Sequence, residues 1–355
     1  QAKDDRMLSR FCRPQQIITM DDPYNYRNKV QTVYKVNSSK RIVSGVYQSS
    51  THSMVITDDC FLEDIRAQQI VATLKELMVD FRILPYNEES DQGLLKHTLI
   101  RTSQTTGEVM LVLVTATPIF PAKKNFVKAI TEKHPYITTI IQNINKGTTP
   151  LTLGDRDIIM YGKGYITDEM CGCKFRISPH SFYQVNPQQT KVLYSKALEY
   201  AELKGQELVW DLYCGIGTIS LFLAQKAKQV YGVEIIKEAI DDARRNAALN
   251  HMDNVEFFVG KAEEVVPAQY EKTGIHPDVI VVDPPRKGCD AILLNTMLDM
   301  APKRIVYVSC DPATLARDLK ILCEEKYTLE KVSVVDQFSH SVHVESVCAL
   351  KRVDE

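Results

Sequence analysis

The feature that most constrains the fold is an alternation of apolar and amphipathic segments that begins near residue 188. Short β-branched segments alternate there with segments whose apolar residues recur every three to four positions. Strands that alternate with helices form βαβ units, which build a mostly parallel sheet. Residues 332–353 predict two more strands, the last of them antiparallel to its neighbour. The parallel strand segments are ELVWDL, QVYGVE, VEFFVG, PDVIVV and RIVYVS.

Residues 28–175 have a different pattern. Segments such as NKVQTVYKV and EVMLVLVTATPIF have the composition of strands, and residues 62–81 predict a helix. Residues 151–178 predict a hairpin meander with glycines at its turns. We therefore predict an N-terminal α+β domain over residues 1–175, which we expect to contact the substrate, and an α/β domain over residues 176–355.

The composition is that of a globular protein. Of the 355 residues, 44% are hydrophobic and 25% are charged. No apolar run reaches the ~18 residues that a membrane-spanning helix needs, and no signal-peptide pattern is present. We therefore expect a cytoplasmic protein without membrane contact, and a monomer. The net charge is −2, but residues 1–50 contain nine Lys/Arg and four Asp/Glu; this excess either meets a polyanion or forms a solvated surface.

The nine cysteines do not predict a disulfide framework or a metal site. Their number is odd, and no secretory signal accompanies them. A metal site needs clustered ligands. The only close pair is Cys171 and Cys173, and no second pair or suitably spaced histidine lies near it.

The segment DLYCGIGTI, residues 211–219, predicts a cofactor loop between a strand and a helix. Gly215 and Gly217 allow a tight turn and close approach of a ligand, so Gly215 is a candidate cofactor-binding residue. Glu234 follows Gly215 by 19 positions, the spacing at which an acid accepts the ribose hydroxyls of an adenosine. Dinucleotide sites carry a third glycine where this chain has Ser220. The loop instead resembles the first motif of S-adenosylmethionine-dependent methyltransferases; the alternative is an ordinary α/β turn.

The segment VIVVDPPRKG ends a buried strand with Asp283, Pro284 and Pro285. In an open α/β sheet, residues just beyond the carboxyl end of a strand face the ligand crevice. Two prolines stiffen the loop that carries the carboxylate. We interpret Asp283 as a ligand-binding residue, and the alternative is a simple strand-terminating turn.

The next strand, RIVYVSC, ends at Cys310, where Asp311 and Pro312 predict the start of a helix. The helix dipole favours an anion there, so this placement predicts a lowered thiol pKa. The alternative, a small buried hydrophobic residue, fits Cys323 and Cys348 better. Further along, Glu345 stands within a strand-like alternation of valines, where a carboxylate needs a partner or a function.

Together these residues resemble the RNA uridine C5-methyltransferases, which make 5-methyluridine in ribosomal and transfer RNA. The resemblance runs from about Tyr26 to the end of the chain. It implies a Rossmann-like class I methyltransferase domain that uses S-adenosylmethionine. The motifs that carry it are FYQVN (182–186), DLYCGIG (211–217), YGVE (231–234), VVDPPRKG (281–288), YVSCDPATLARDL (307–319) and HVESV (343–347).

The resemblance implies that Cys310 is the nucleophile and that Glu345 is the general base. Thiolate addition at carbon 6 of uracil would make carbon 5 nucleophilic, and the base would then remove the carbon-5 proton. The uridine would be flipped out of its RNA context. Positions that match cofactor-binding residues of the family are Gln184, Tyr213, Thr218, Glu234 and Asp283.

Three departures from the family pattern are visible. Many members hold an iron–sulfur cluster on four cysteines, of which only Cys60 has a counterpart here, so we expect no cluster. Many members also carry an N-terminal RNA-binding β-barrel, which we expect to be absent or removed, since only a short basic segment precedes Tyr26. Lys261 stands where the family commonly has Asp or Asn near the adenine.

Several alternatives remain open at this stage. Ribosomal RNA, and 23S rRNA in particular, is favoured as the substrate because YRNK and LLKHTLIR resemble the ribosomal members, but uridine 54 of tRNA is the alternative. An amino-group methyltransferase would also use Asp-Pro-Pro but needs no thiol, and a non-catalytic RNA-binding protein needs neither. Cys289, which follows DPPRKG, is interpreted as a bystander in a loop with no helix N-terminus directly after it.

Overall fold

The structure is a computed structural model that describes residues 14–48, 53–147 and 153–353. The chain forms two compact units. The N-terminal unit comprises Tyr24–Glu169 and Arg176–His180, and the C-terminal unit comprises Met170–Phe175, Ser181 onward and the described residues before Tyr24. No helix in the described ranges is long and apolar enough to cross a membrane.

The elements are numbered along the chain. The helices are α1 (Ile65–Asp80), α2 (Lys123–Lys133), α3 (Pro187–Ala201), α4 (Thr218–Ala224), α5 (Lys237–Leu249), α6 (Ala262–Thr273), α7 (Ala291–Met300) and α8 (Pro312–Glu325). The strands are β1 (Gln16–Ile18), β2 (Lys29–Val36), β3 (Ile42–Tyr47), β4 (Met54–Ile56), β5 (Leu95–Thr102), β6 (Val109–Thr115), β7 (Ile137–Ile144), β8 (Arg156–Tyr161), β9 (Ile166–Met170), β10 (Cys173–Ile177), β11 (Leu208–Leu212), β12 (Gln229–Glu234), β13 (Val255–Val259), β14 (Val279–Val282), β15 (Arg304–Ser309), β16 (Tyr327–Val335) and β17 (Glu345–Arg352).

The C-terminal unit is built on an eight-stranded sheet in the order β1-β16-β17-β15-β14-β11-β12-β13. The pairs from β15 through β14, β11 and β12 to β13 are parallel, whereas β17 is antiparallel to both β15 and β16. The parallel strands that the alternating sequence pattern predicts are therefore confirmed. Because β1 pairs with β16 at the far edge, residues 16–18 join this unit rather than the N-terminal domain predicted for residues 1–175.

One aromatic stack marks the core of the C-terminal unit. The Trp210 ring on β11 is fully buried and stacks on Tyr231 at 5.1 Å and on Phe258 at 5.9 Å between ring centroids. The three strands that carry these rings are adjacent in the sheet. Removing an aromatic ring from such a position costs about 3–5 kcal/mol, so this stack fixes the strands that end at the predicted cofactor loop.

The N-terminal unit contains a seven-stranded mixed sheet in the order β4-β3-β2-β5-β6-β7-β8, with α1 and α2 packed against it. The helix α1, predicted over residues 62–81, begins at Ile65, because the Asp64 carboxylate caps it by accepting a hydrogen bond from the Arg66 N–H at 2.8 Å. The predicted meander over residues 151–178 is wrong in one respect. The strand β8 pairs with β7 across the sheet, and only β9 and β10 form a hairpin with each other.

Gly232 in β12 tests how tightly the cofactor-loop region is packed. A Cβ added there would lie 2.5 Å from Phe257 Cδ1 and 3.0 Å from Cys214 Sγ. We expect Gly232→Ala to destabilise the C-terminal unit by about 1–3 kcal/mol through overpacking, measured as a lower thermal midpoint. Adding Phe257→Val in the same chain removes Cδ1 and Cε1, the atoms closest to the added Cβ, and should restore part of the loss; an unchanged midpoint in Gly232→Ala contradicts the close packing.

Candidate active site

The parallel register brings three of the predicted residues to one edge of the sheet. Leu212 on β11 is paired with Val233 on β12 and with Val282 on β14. Tyr213 follows β11, Glu234 ends β12 and Asp283 follows β14. These three residues therefore lie side by side at the carboxyl ends of the strands. This edge is where open α/β sheets bind their ligands.

The antiparallel pairing of β15 with β17 brings the predicted nucleophile and the predicted base together. Ser309, the last residue of β15, is paired with Ser346, the second residue of β17. One further step along each strand places Cys310 opposite Glu345. The two side chains interact electrostatically, and Asp283 acts on both. The structure thus brings the predicted nucleophile, the predicted base and the Asp-Pro-Pro carboxylate into one cluster.

The cofactor loop is held by Glu234. Its carboxylate accepts hydrogen bonds from the Gly215 N–H at 3.3 Å and from the Ile236 N–H at 3.0 Å. Tyr213 has a φ of 67° and Gly215 a φ of 55°, both in the left-handed region. A Cβ built on Gly215 meets nothing within 4 Å, so the space in front of the loop backbone is open.

Asp211, at the end of β11, provides a test of whether this loop fits a cofactor. One carboxylate oxygen accepts a hydrogen bond from Ser220 Oγ at 2.5 Å, while the other is buried without a partner among the described residues. Burial, together with Asp283 and Glu234, raises the Asp211 pKa to about 7 against the opposing effect of Ser220. A buried acceptor with no donor is costly. The residues present therefore fit a ligand that brings positive charge and donors, as the amino-acid part of S-adenosylmethionine does.

The thiol of Cys310 does not have the lowered pKa that its position before a helix predicts. The helix begins as predicted, since the Asp311 carboxylate accepts hydrogen bonds from the Ala313 and Thr314 N–H groups. Burial and the Glu345 and Asp283 carboxylates nevertheless raise the Cys310 pKa to about 11. The prediction is wrong because burial, together with the two acidic side chains, outweighs the helix dipole, which is worth only about 0.3–1 kcal/mol.

The carboxyl groups around Cys310 are themselves shifted towards their neutral forms. Glu345 is 3% exposed, and burial raises its pKa, with a further contribution from Asp283. Burial likewise raises the pKa of Asp283. Buried carboxyl groups that face one another cannot all hold charge cheaply. The cluster therefore binds protons more tightly than isolated carboxylates do.

Two residues that the sequence did not single out belong to this cluster. Tyr194 on α3 is buried, and its side chain hydrogen-bonds with that of Gln184. Burial and nearby Asp283 and Glu345 raise the Tyr194 pKa well above its usual range. Arg286 is the cation that favours the ionised forms of both Cys310 and Glu345. Arg286 was visible within DPPRKG, whereas Tyr194 reads as an ordinary apolar position of an amphipathic helix.

The remaining candidates occupy distinct places. Thr218 is half-buried and opens α4 after Gly217, whose φ of 82° forms the helix cap. Lys261 is exposed at the start of α6 and pairs with Glu264 at 3.1 Å.

The other cysteines that the sequence raised lie outside the cluster. Cys60 lies in a loop of the N-terminal unit, where Gln68 hydrogen-bonds to its backbone. Within the described residues no group of three or more His, Cys, Asp or Glu side chains could hold a metal ion. Cys289 is buried and directly precedes α7, whose cap is Asp290. The expectation that no helix follows Cys289 is therefore wrong, yet burial raises its pKa to about 12, as suits an inert thiol.

Comparisons with known proteins agree with the motifs. A sequence model of the tRNA (uracil-5-)-methyltransferase family matches residues 155–353. A Bacillus cereus protein described as an uncharacterised RNA methyltransferase is 50% identical over 339 residues, covering 96% of this chain and 73% of that protein. A Clostridium tetani protein of the same description is 49% identical over 333 residues, covering 94% of this chain and 72% of that protein.

A solved structure is similar over nearly the whole chain. It is the Pyrococcus abyssi tRNA (uracil-54, C5)-methyltransferase in complex with S-adenosyl-L-homocysteine, with a TM-score of 0.82 and 28% identity. The match covers 98% of this chain and 81% of that one. The methyltransferase fold that the motifs imply is thereby confirmed. The chain therefore belongs to the tRNA (uracil-5-)-methyltransferase family and is an S-adenosylmethionine-dependent RNA (uracil-C5)-methyltransferase.

Proposed function

We propose that this enzyme methylates one uridine of 23S rRNA through a covalent bond between Cys310 and carbon 6, with Glu345 as the base for the carbon-5 proton. The observation that carries the proposal is the register of β15 and β17, which places a thiol opposite a buried carboxylate at the ligand edge of the sheet. An amino-group methyltransferase has no use for that pair, and neither has a protein that only binds RNA.

The first step uses the thiol. Cys310 gives its proton to solvent, and its sulfur forms a bond with carbon 6 of uracil. The electron pair of the carbon 5–carbon 6 double bond moves onto carbon 5 and oxygen 4, which makes an enolate. The Arg286 guanidinium favours the ionised thiol against the two carboxylates. When bound, S-adenosylmethionine supplies an electrophilic methyl group at this stage.

The last step uses the carboxylate. Glu345 takes the proton from carbon 5, and the electrons of that carbon–hydrogen bond re-form the double bond to carbon 6. The bond between sulfur and carbon 6 then breaks, and its electron pair returns to Cys310. A buried carboxylate with a raised pKa is a stronger base than an exposed one, which suits the removal of a weakly acidic proton.

The residues that would hold the cofactor lie along the same edge. Glu234 is oriented by the Gly215 and Ile236 N–H groups, which leaves its remaining lone pairs for ribose hydroxyls. Gly215 offers open backbone, and Asp211 offers a buried acceptor without a partner among the described residues. From their motif positions we assign Gln184, Tyr213, Thr218 and Asp283 to the same group of cofactor-binding residues.

For the RNA substrate we favour 23S rRNA, because YRNK and LLKHTLIR in the N-terminal half resemble the ribosomal members of the family. The second candidate is uridine 54 of tRNA, since the similar Pyrococcus abyssi enzyme is described as acting there. We further propose that the N-terminal unit contributes RNA contacts and that the enzyme acts as a cytoplasmic monomer.

Cys310→Ser is expected to lower turnover on the order of 10⁴-fold or more, because a hydroxyl is a far weaker nucleophile at carbon 6. With 5-fluorouridine RNA the unmodified enzyme should form a stable adduct, detected by mass spectrometry as the protein plus RNA, and the variant should not. Cys323→Ser, on α8 but outside the cluster, is the matched control and should behave like the unmodified enzyme. Retained turnover in Cys310→Ser would point to amino-group methylation.

Glu345→Gln is expected to trap the enzyme on its RNA. The amide cannot accept the carbon-5 proton, so release stops. Because Glu345 contributes to the raised Cys310 pKa, replacing its carboxyl group lowers the thiol pKa and favours addition. Gel-shift of the protein under denaturing conditions should show adduct with natural RNA and little product. Turnover at the rate of the unmodified enzyme contradicts the role of Glu345 as the base.

The choice of RNA is tested in cells with and without the gene. Loss of 5-methyluridine from one position of 23S rRNA, with tRNA unchanged, is the expected result of nuclease digestion and mass spectrometry. Loss from position 54 of tRNA alone assigns the second candidate. Complementation with Cys310→Ser is the control, since it should restore neither modification.

A further inference from the structure

The loop of residues 283–290, between β14 and α7, is fastened to α8 through its backbone. Thr314 Oγ1 donates a hydrogen bond to the Arg286 carbonyl at 3.1 Å. Arg317 Nη2 donates to the Lys287 carbonyl at 2.9 Å and to the Cys289 carbonyl at 3.2 Å. The side chains that make these bonds stand three positions apart on α8 and so lie on one face of the helix.

Asp318, the next residue of α8, is the centre of this attachment. Its side chain is fully buried. One oxygen accepts hydrogen bonds from the Cys289 N–H at 2.8 Å and from the Tyr307 hydroxyl at 2.6 Å. The other accepts from Arg317 Nε at 2.8 Å. A buried carboxylate is tolerated when donors surround it, and here those donors come from the loop, from β15 and from α8 itself.

Gly288 shows how closely the loop sits on this network. Its φ is 75°, and a Cβ added there would lie 2.6 Å from both Arg317 Nη2 and Asp318 Oδ2. The backbone of the loop therefore approaches the buried ion pair with no room for a side chain. A loop with a different backbone conformation at Gly288 could not make this contact with Arg317 and Asp318.

The same helix begins at the proposed nucleophile, and the same loop carries two groups that act on it. We propose that Asp318 is a positioning residue: by holding residues 286–289 against α8, it keeps the Arg286 guanidinium beside the Cys310 thiol. This inference rests on the proposed role of Cys310. It adds that Asp318 holds in place the guanidinium that favours the ionised thiol.

The charges around Cys310 explain why the position of the loop matters. The ionisable groups that act on the thiol are Glu345 from β17, Asp283 from the start of the loop, and Arg286 from its middle. Of these only Arg286 stabilises the thiolate. Asp283 directly follows β14 and is held by the sheet, so a loosened loop would move the guanidinium more than the carboxylate and would raise the thiol pKa further.

Asp318→Asn tests this directly. The amide must turn its NH₂ group towards either the Cys289 N–H or the Arg317 guanidinium, both of which are donors, so one attachment is lost at nearly constant volume. We measure the rate of iodoacetamide labelling of Cys310 in the full chain as a function of pH by peptide mass spectrometry. The profile should move up by about one pH unit, so that labelling below the pKa falls about tenfold, and kcat should fall in parallel while the KM for RNA is unchanged.

Two comparisons test whether Asp318 acts on the Cys310 thiol through Arg286. Arg286→Gln should shift the profile in the same direction, and the double variant should shift no further than Arg286→Gln alone. Cys323, on the same helix, is labelled in the same sample and should keep its profile. An unchanged Cys310 profile in Asp318→Asn overturns the proposal, and so does an additive shift in the double variant, since Asp318 would then act independently of Arg286.

Thr314→Val keeps the proposal testable if Asp318→Asn does not fold. It removes the bond to the Arg286 carbonyl, together with a 3.2 Å bond to the Asp311 carbonyl of the same helix, and leaves no buried charge without a partner. It should produce a smaller shift in the same direction; no shift overturns the proposal. Labelling measures the proton equilibrium of the thiol without turnover. It therefore remains informative if Cys310→Ser retains activity and the covalent mechanism fails.

Discussion

The pairing of β17 between β15 and β16 is the constraint on which the candidate site depends. A sheet of parallel strands alone would bring Tyr213, Glu234 and Asp283 to its carboxyl edge. The strand beside β15 would then not place its first residue next to Cys310. The antiparallel strand runs the other way, so its first residue, not its last, reaches that edge. Glu345 arrives there for this reason, although 35 positions separate it from the thiol in the sequence.

Burying this cluster of acidic side chains costs free energy, and that cost explains which ligands and reactions suit the site. Three carboxyl groups, Asp211, Asp283 and Glu345, have raised pKa values because they are buried, and Asp283 acts on each of the other two. Such a site is stabilised by bound positive charge, and its carboxyl groups have a high proton affinity. A positively charged methyl donor and a base for a weakly acidic proton meet both conditions. The buried acceptor on Asp211 and the raised proton affinity of Glu345 are thus two consequences of one arrangement.

Much of the fold could be predicted from the sequence, because the relevant signals are local. The glycine loop, the Asp311–Pro312 helix start and the βαβ order each depend on a few neighbouring residues. The pairing of β1 with β16 could not be predicted, since the two strands lie more than 300 positions apart and β1 has three residues. The prediction of a lowered Cys310 pKa failed for a related reason: its local signal, the helix N-terminus, is weaker than burial and the acidic groups that the sheet brings from distant segments.

Asp318 is a second residue whose environment could not be predicted from the local sequence. In ATLARDL it reads as an ordinary polar position of an amphipathic helix, yet it is fully buried. What retains it is a set of donors that come from three separate segments, Tyr307, Cys289 and Arg317. Since a buried carboxylate without those donors would destabilise the unit by several kcal/mol, α8 and the Asp-Pro-Pro loop can occupy their places only together. The proposed nucleophile and the loop that carries Arg286 are therefore both positioned by α8, which couples the packing of the unit to the reactivity of its thiol.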